Sequence, residues 1–223
     1  MSSGWAAETG AILRKEVLGE LRGRHGLFTS LLFSVMTVAA LGMASARTSP
    51  SPTLAAGMLW IAFLFAAITG LARTFILEEE QGTGDLLRLW AKPGPVFWGK
   101  LLYNFVLVLL VAVLVVPLFS LLVGISPINW PLAIGGVLAG TAALAAGISV
   151  CGAFVSRSSS RGALAGVISI PVLLPVIFLG VGAMRIAFGD PGTSGWISVA
   201  GLAGIATAFF ALGPYLFVAV WDQ

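Results

Sequence analysis

Charge is what this sequence has least of. Only 9% of its 223 residues are Asp, Glu, Lys or Arg, against 58% hydrophobic, and the mean hydropathy is +1.03. A soluble domain carries about 25% charged residues, so a water-facing surface is excluded for most of the chain. Cysteine and histidine occur once each, as Cys151 and His25, which leaves neither an intrachain disulfide nor a His/Cys metal cluster to expect. Ionisable residues are missing from the middle of every long apolar run. Ion-coupled transporters and proton pumps keep such groups inside the bundle to carry the coupling ion, and intramembrane hydrolysis needs a base or metal ligands. The chain therefore reads as a mechanical element, not an enzyme. The formal charge of +3 would suit nucleic acid, but the basic residues flank apolar runs, so membrane topology accounts for them. No nucleic-acid partner is expected. Met1 to Gly26 lacks the apolar core and cleavage pattern of a signal peptide.

What is present is apolar length. About 20 residues of helix cross a bilayer core, and six stretches qualify, at about 27–46, 53–72, 101–123, 132–155, 163–184 and 198–220. The expected fold is an all-α integral membrane protein, a single transmembrane domain over 1–223. Arg14, Lys15, Arg22 and Arg24 precede the first span; Arg73, Arg88, Lys92 and Lys100 lie between the second and third; Arg157 and Arg161 lie between the fourth and fifth. The other side holds Arg47 and Arg185. The positive-inside rule then places both termini in the cytoplasm.

Three features modify this frame. Residues 8–26 read as an amphipathic interfacial helix, with Leu13, Val17 and Leu21 on one face and Arg14, Lys15, Glu16, Glu20, Arg22 and Arg24 on the others; Glu20 and Arg24 form a favourable i,i+4 pair. The GxxxG pairs Gly136–Gly140 and Gly162–Gly166 allow close helix approach, more plausibly within the chain than at a dimer seam. Pro171 and Pro175, four residues apart in the fifth span, and Pro117 in the third each remove a backbone donor. The paired prolines bend the helix statically or let it flex.

The loop 73–93 carries four of the nine acidic residues: Glu78, Glu79, Glu80 and Asp85. Gly82 and Gly84 permit a turn, and Thr83 or Asp85 can cap a short helix running to about Ala91 before Pro93. Leu86, Leu89 and Trp90 form its apolar face, with Leu87 close by. Two turns of helix do not stand alone in water, and the acidic run disfavours an anionic lipid surface. A protein groove is the expected seat, with Glu80, Gly82, Asp85, Leu86, Leu87, Leu89 and Trp90 as the docking set. Gly94 through Leu101 nearly matches GxxxxGK[ST], but Leu101 replaces the magnesium-binding hydroxyl and the segment leads into lipid, not from a strand into a soluble helix. A nucleotide site is not expected there, so an ATP-driven process would need its ATPase in another chain.

Two stretches resemble a known family. Arg73-x-Phe75, then Gly82-Thr83-x-Asp85-x-Leu87-x-Leu89 with prolines at 93 and 95, is similar to the ABC-2 permease pattern. Ile170-Pro171-Val-Leu-Leu-Pro175-Val-Ile-Phe178 is similar to the paired-proline helix of CcmB, the membrane subunit of the ABC-type complex of system I cytochrome c maturation. The likeness extends to length, span count and the leading amphipathic helix. Ala72, where an acid often precedes the arginine, and the shifted acids Glu78–Glu80 depart from it. The resemblance implies an ABC-2-like permease of the bacterial inner membrane: a homodimer bound to CcmA-like ATPase subunits through the coupling helix, with CcmC-like and CcmD-like membrane proteins. It implies ATP bound by the partner, haem as cargo of the complex, and release of a CcmE-like haem chaperone. No cofactor is assigned to this subunit itself, contact with haem is left open, and His25, the lone histidine, has no paired ligand. The alternatives are the permease of another ABC-2 exporter, for lipid, polysaccharide or drug, and an ATPase-independent secondary transporter or channel.

Overall fold

The structure is a computed structural model that describes residues 4–23, 25–45, 49–71, 78, 82, 87, 89–156, 161–192 and 194–221. Seven long helices account for most of them: α1 Trp5–Gly23, α2 His25–Ser45, α3 Pro52–Leu71, α4 Pro93–Val123, α5 Trp130–Ser156, α6 Arg161–Ala187 and α7 Trp196–Trp221. Helices α2 to α7 each contain a stretch long and apolar enough to cross a membrane, and α1 does not. The chain is an all-α integral membrane protein. Helix α1 packs on the first turns of α4.

Helix α5 is the axis, touching α3, α4, α6 and α7, while α2 packs on α3 and α4 at the periphery. Small residues bring α5 into contact. Gly140 of α5 and Gly180 of α6 both lie against the indole of Trp60 in α3, which is fully buried, and a Cβ at either glycine would run into that ring. A Cβ at Gly136 would meet Ala183 at 3.4 Å. The first GxxxG pair thus packs within the chain, as small-residue contacts do in lipid, where no hydrophobic force drives helices together. The side chains of the second pair lie outside the described residues.

Two hydrogen bonds between buried or half-buried polar groups join neighbouring helices. Asn104 of α4 donates to Ser149 of α5 at 3.0 Å, and Ser149 donates back to the Ala145 carbonyl at 2.8 Å. Ser30 and Thr69 join α2 to α3 at 2.7 Å. Each such bond removes the cost of an unmet polar group in hydrocarbon.

Helix α4 differs most from its expected span. It begins at Pro93, not near Leu101, and runs for 31 residues. Proline is tolerated in a first turn because that turn's N–H groups have no helical partner; Pro93 therefore opens this helix as well as closing the preceding one. At ~1.5 Å per residue the helix exceeds a bilayer core of ~30 Å, so its first turns stand outside it. Its far end stops at Gly124, whose φ of +76° lets its N–H cap the Ser120 carbonyl at 3.1 Å. Pro171 and Pro175 both lie on the exposed side of an unbroken α6. Pro214 lies inside α7, a third proline-bearing span besides α4 and α6.

Candidate functional site

The chemistry-bearing side chains gather where α1, the 73–93 loop and the first turns of α4 meet. Lys100, two turns into α4, is 1% exposed. Its ammonium lies 2.6 Å from a Glu78 carboxylate oxygen and 3.5 Å from Glu16 of α1. Lys15 closes the group by pairing with Glu78 and, at 3.5 Å, with Glu16. Two cations and two carboxylates from three separate segments thus neutralise one another. A buried lysine without them would lose its proton or unfold its surroundings.

The titration behaviour follows from this geometry. Burial alone would push the Glu78 carboxyl up, but Lys100 and Lys15 more than offset it and hold the group below its ordinary value. Burial alone would lower Lys15, yet Glu78 and Glu16 together raise it. Both ends of the network are charged at neutral pH.

Helix α1 is clamped to the bundle around this node. Gly99 gives it room: a Cβ there would meet Ile12 at 2.6 Å and the Thr9 carbonyl at 3.2 Å. Glu20 then uses both oxygens, accepting from the Leu27 N–H at the start of α2 at 2.6 Å and from the Tyr103 hydroxyl of α4 at 3.1 Å. The first caps an orphan donor of α2. The inward face of α1 is therefore Thr9, Ile12, Leu13, Glu16 and Glu20, while Val17 and Leu21 are exposed. Val17 and Leu21 of the expected stripe are thus left on the outer side, the side an interfacial helix gives to lipid, while Leu13 is half-buried against the bundle. Ile12 and the acids Glu16 and Glu20 share the inward face, where α4 supplies partners for both kinds of group. Arg24 lies outside the described residues, and the Glu20 carboxylate is committed to α2 and α4.

The docking set divides. Glu80, Asp85 and Leu86 lie outside the described residues. Gly82 is an exposed turn residue with φ +67°, a conformation glycine adopts freely. Leu87, Leu89 and Trp90 are helical, and the Ala91 N–H donates to the Leu87 carbonyl at 2.9 Å. Leu87 and Ala91 pack on a second apolar cluster formed by Ile12, Phe97 and Leu101 with Phe217 of α7. Leu89 and Trp90 point the other way, 79% and 89% exposed. Leu87 thus belongs to the seat and the other two to the free face. Trp5, Trp98 and Phe210 extend the seat by ring contacts, with centroids 6.2 Å apart for Trp5–Trp98 and 5.7 Å for Trp98–Phe210.

Residues 94–100 are continuous helix, so the near-phosphate motif forms no loop. Lys100, Glu16, Glu20, Tyr103 and Gly99 were not legible as site residues. The available signal was the i,i+4 spacing of Glu16 and Glu20 together with a lysine seven residues beyond Pro93. His25 opens α2, and its side chain lies outside the described residues.

Comparison with known proteins agrees with this architecture. The family model described as "CcmB protein" matches residues 8–221. "Heme exporter protein B" of Paracoccus denitrificans is 30% identical over 196 residues, covering 86% of this chain and 88% of that protein. The protein of the same name from Rhodobacter capsulatus is 29% identical over 209 residues, covering 92% and 94%. That from Pseudomonas aeruginosa is 27% identical over 217, covering 95% and 97%. The chain is a polytopic membrane protein that belongs to the CcmB family.

Proposed function

We propose that this protein is the permease subunit of an ATP-driven haem exporter serving cytochrome c biogenesis, with ATP hydrolysed by a separate CcmA-like subunit. The observation that carries the reading is the pair of exposed helical residues Leu89 and Trp90 beside the seated Leu87. These two are offered to a partner while Leu87 and Ala91 pack on α4 and α7. Exposed large apolar side chains beside an acidic stretch fit a protein groove better than water or an anionic lipid surface. The haem assignment rests on the names of the relatives. On this reading the protein works as a homodimer in the bacterial inner membrane, with CcmC-like and CcmD-like proteins and a CcmE-like haem chaperone. The α1 face is cytoplasmic, following the lysine and arginine bias.

A push on Leu89 and Trp90 would reach the bundle by two routes. One is the apolar seat of Leu87 on Phe97 and Leu101; the other is the ion pair from Glu78 to Lys100. Both end on the first turns of α4, and α4 touches α1, α2, α3, α5 and α7. Pro171 and Pro175 supply a helix-flexing point in α6.

Leu89→Asp and Trp90→Asp test the docking. Each should abolish copurification with the ATPase subunit while leaving membrane insertion and thermal stability unchanged, because neither side chain is packed. Normal ATPase association in both variants would overturn the assignment.

A further inference from the structure

At the face opposite α1, the last turns of α6, the start of α7 and the start of α3 enclose a cleft of about 330 Å³. We propose that it binds an anionic amphiphile, a phosphate or carboxylate carried on an apolar body. One corner of the cleft is polar, formed by Arg185, Ser194 and Ser198; the other wall is apolar, with Phe178, Leu179 and Ile197. Phe178 and Ile197 are 76% and 72% exposed. The apolar wall therefore opens on the side that lipid covers, while Arg185, two residues from the end of α6, marks the membrane boundary.

The arginine is held in place for this task. Its Nη1 pairs with Asp190 at 2.6 Å, and Asp190 also accepts from the Thr53 hydroxyl at 2.9 Å. A guanidinium has five N–H donors in a rigid fork, so one carboxylate on Nη1 orients the group and leaves the edge formed by Nη2 and Nε. Arg185 lines the cleft, and Asp190 is not among its described lining residues. Asp190 borders the cleft through its bond to Thr53, a lining residue, so an incoming anion would meet the guanidinium away from Nη1. Gly182 lets α7 approach closely at the floor of the cleft, since a Cβ there would stand 2.9 Å from the Ser198 hydroxyl. A small free anion would engage only the polar corner. The adjoining apolar wall selects a ligand with a hydrophobic body, and charge-assisted bonds to the guanidinium select its acidic head.

The inference stands apart from ATPase docking and survives its failure. Its test uses the full chain in phosphatidylcholine nanodiscs, with phosphatidylglycerol, protoporphyrin IX and protoporphyrin dimethyl ester as probes. Native mass spectrometry reads lipid retention, and porphyrin fluorescence reads the others. The wild type should prefer phosphatidylglycerol over phosphatidylcholine, or the free-acid porphyrin over its ester, by about 10-fold, the scale of a charged hydrogen bond. A preference for the lipid alone identifies a headgroup site, and one for the porphyrin acid identifies a cargo-type site. Arg185→Gln should erase the preference. Ser198→Phe, which fills the cleft and leaves both charges, should weaken the same probe and remains informative if Arg185→Gln does not fold. Retention of every probe without preference, or a preference unchanged in Ser198→Phe, would overturn the proposal.

Discussion

Lys100 shows how much one side chain decides here. Removing it would leave Glu16 and Glu78 facing each other with Lys15 alone between them, and breaking a buried pair costs about 3–5 kcal/mol. Lys100→Met should lower the thermal unfolding midpoint in detergent markedly, and Lys15→Met much less, since Lys15 is half exposed. The pH dependence has two signs. The Glu78 pKa is depressed below 4.5, so its contribution is fully present above that value and is lost as pH falls through the lower folded value. The Lys15 pKa is raised above 10.5, so its contribution is present below that value and is lost as pH rises through the higher folded one. The contributions of Glu78 and Lys15 should be flat between these limits, and Glu78→Gln should diminish the acid-side loss when midpoints are measured against pH. The sequence placed Lys100 among the loop cations because the apolar run begins just after it. Only the continuation of helix back to Pro93 put it among the bundle's buried side chains.

At the scale of elements, Gly99, Glu16 and Glu20 are among the groups that hold α1 to the bundle. Gly99→Val should drive α1 off α4 through Ile12, an overpacking cost of about 1–3 kcal/mol, and Ile12→Ala should restore the contact in the double variant. Spin-label distances between α1 and α4 would read the separation directly; an unchanged distance in Gly99→Val would count against the clamp. That α1 is an amphipathic helix was legible from its periodicity. Which face turns inward was not, because Glu16 and Glu20 find their partners in Lys100 and Tyr103 of α4, more than eighty residues away. Of the short helix expected in the loop, Leu87, Leu89 and Trp90 are described and are helical, and 83–86 and 88 lie outside the described residues. Its division into a seat at Leu87 and a free face at Leu89 and Trp90 needed the apolar cluster of α4 and α7 beneath it.

For the whole molecule, Trp60 is the keystone of the α3, α5 and α6 contact. Gly140→Leu or Gly180→Leu should each lower yield and thermal stability by forcing the indole out, and Trp60→Ala should partly relieve either one. Equal stability of the single and double variants would show that the helices pack otherwise. The six apolar segments and the scarcity of charged surface follow from the sequence by itself, because a bilayer demands length and hydrophobicity that composition records directly. The burial of Lys100 among Glu16, Glu78 and Lys15, the inward turn of Glu20, the Trp60 contact with two glycines and the cleft at Arg185 were decided by tertiary structure. Each depends on side chains from helices distant in sequence meeting at one depth in the bundle, and no local pattern encodes that meeting.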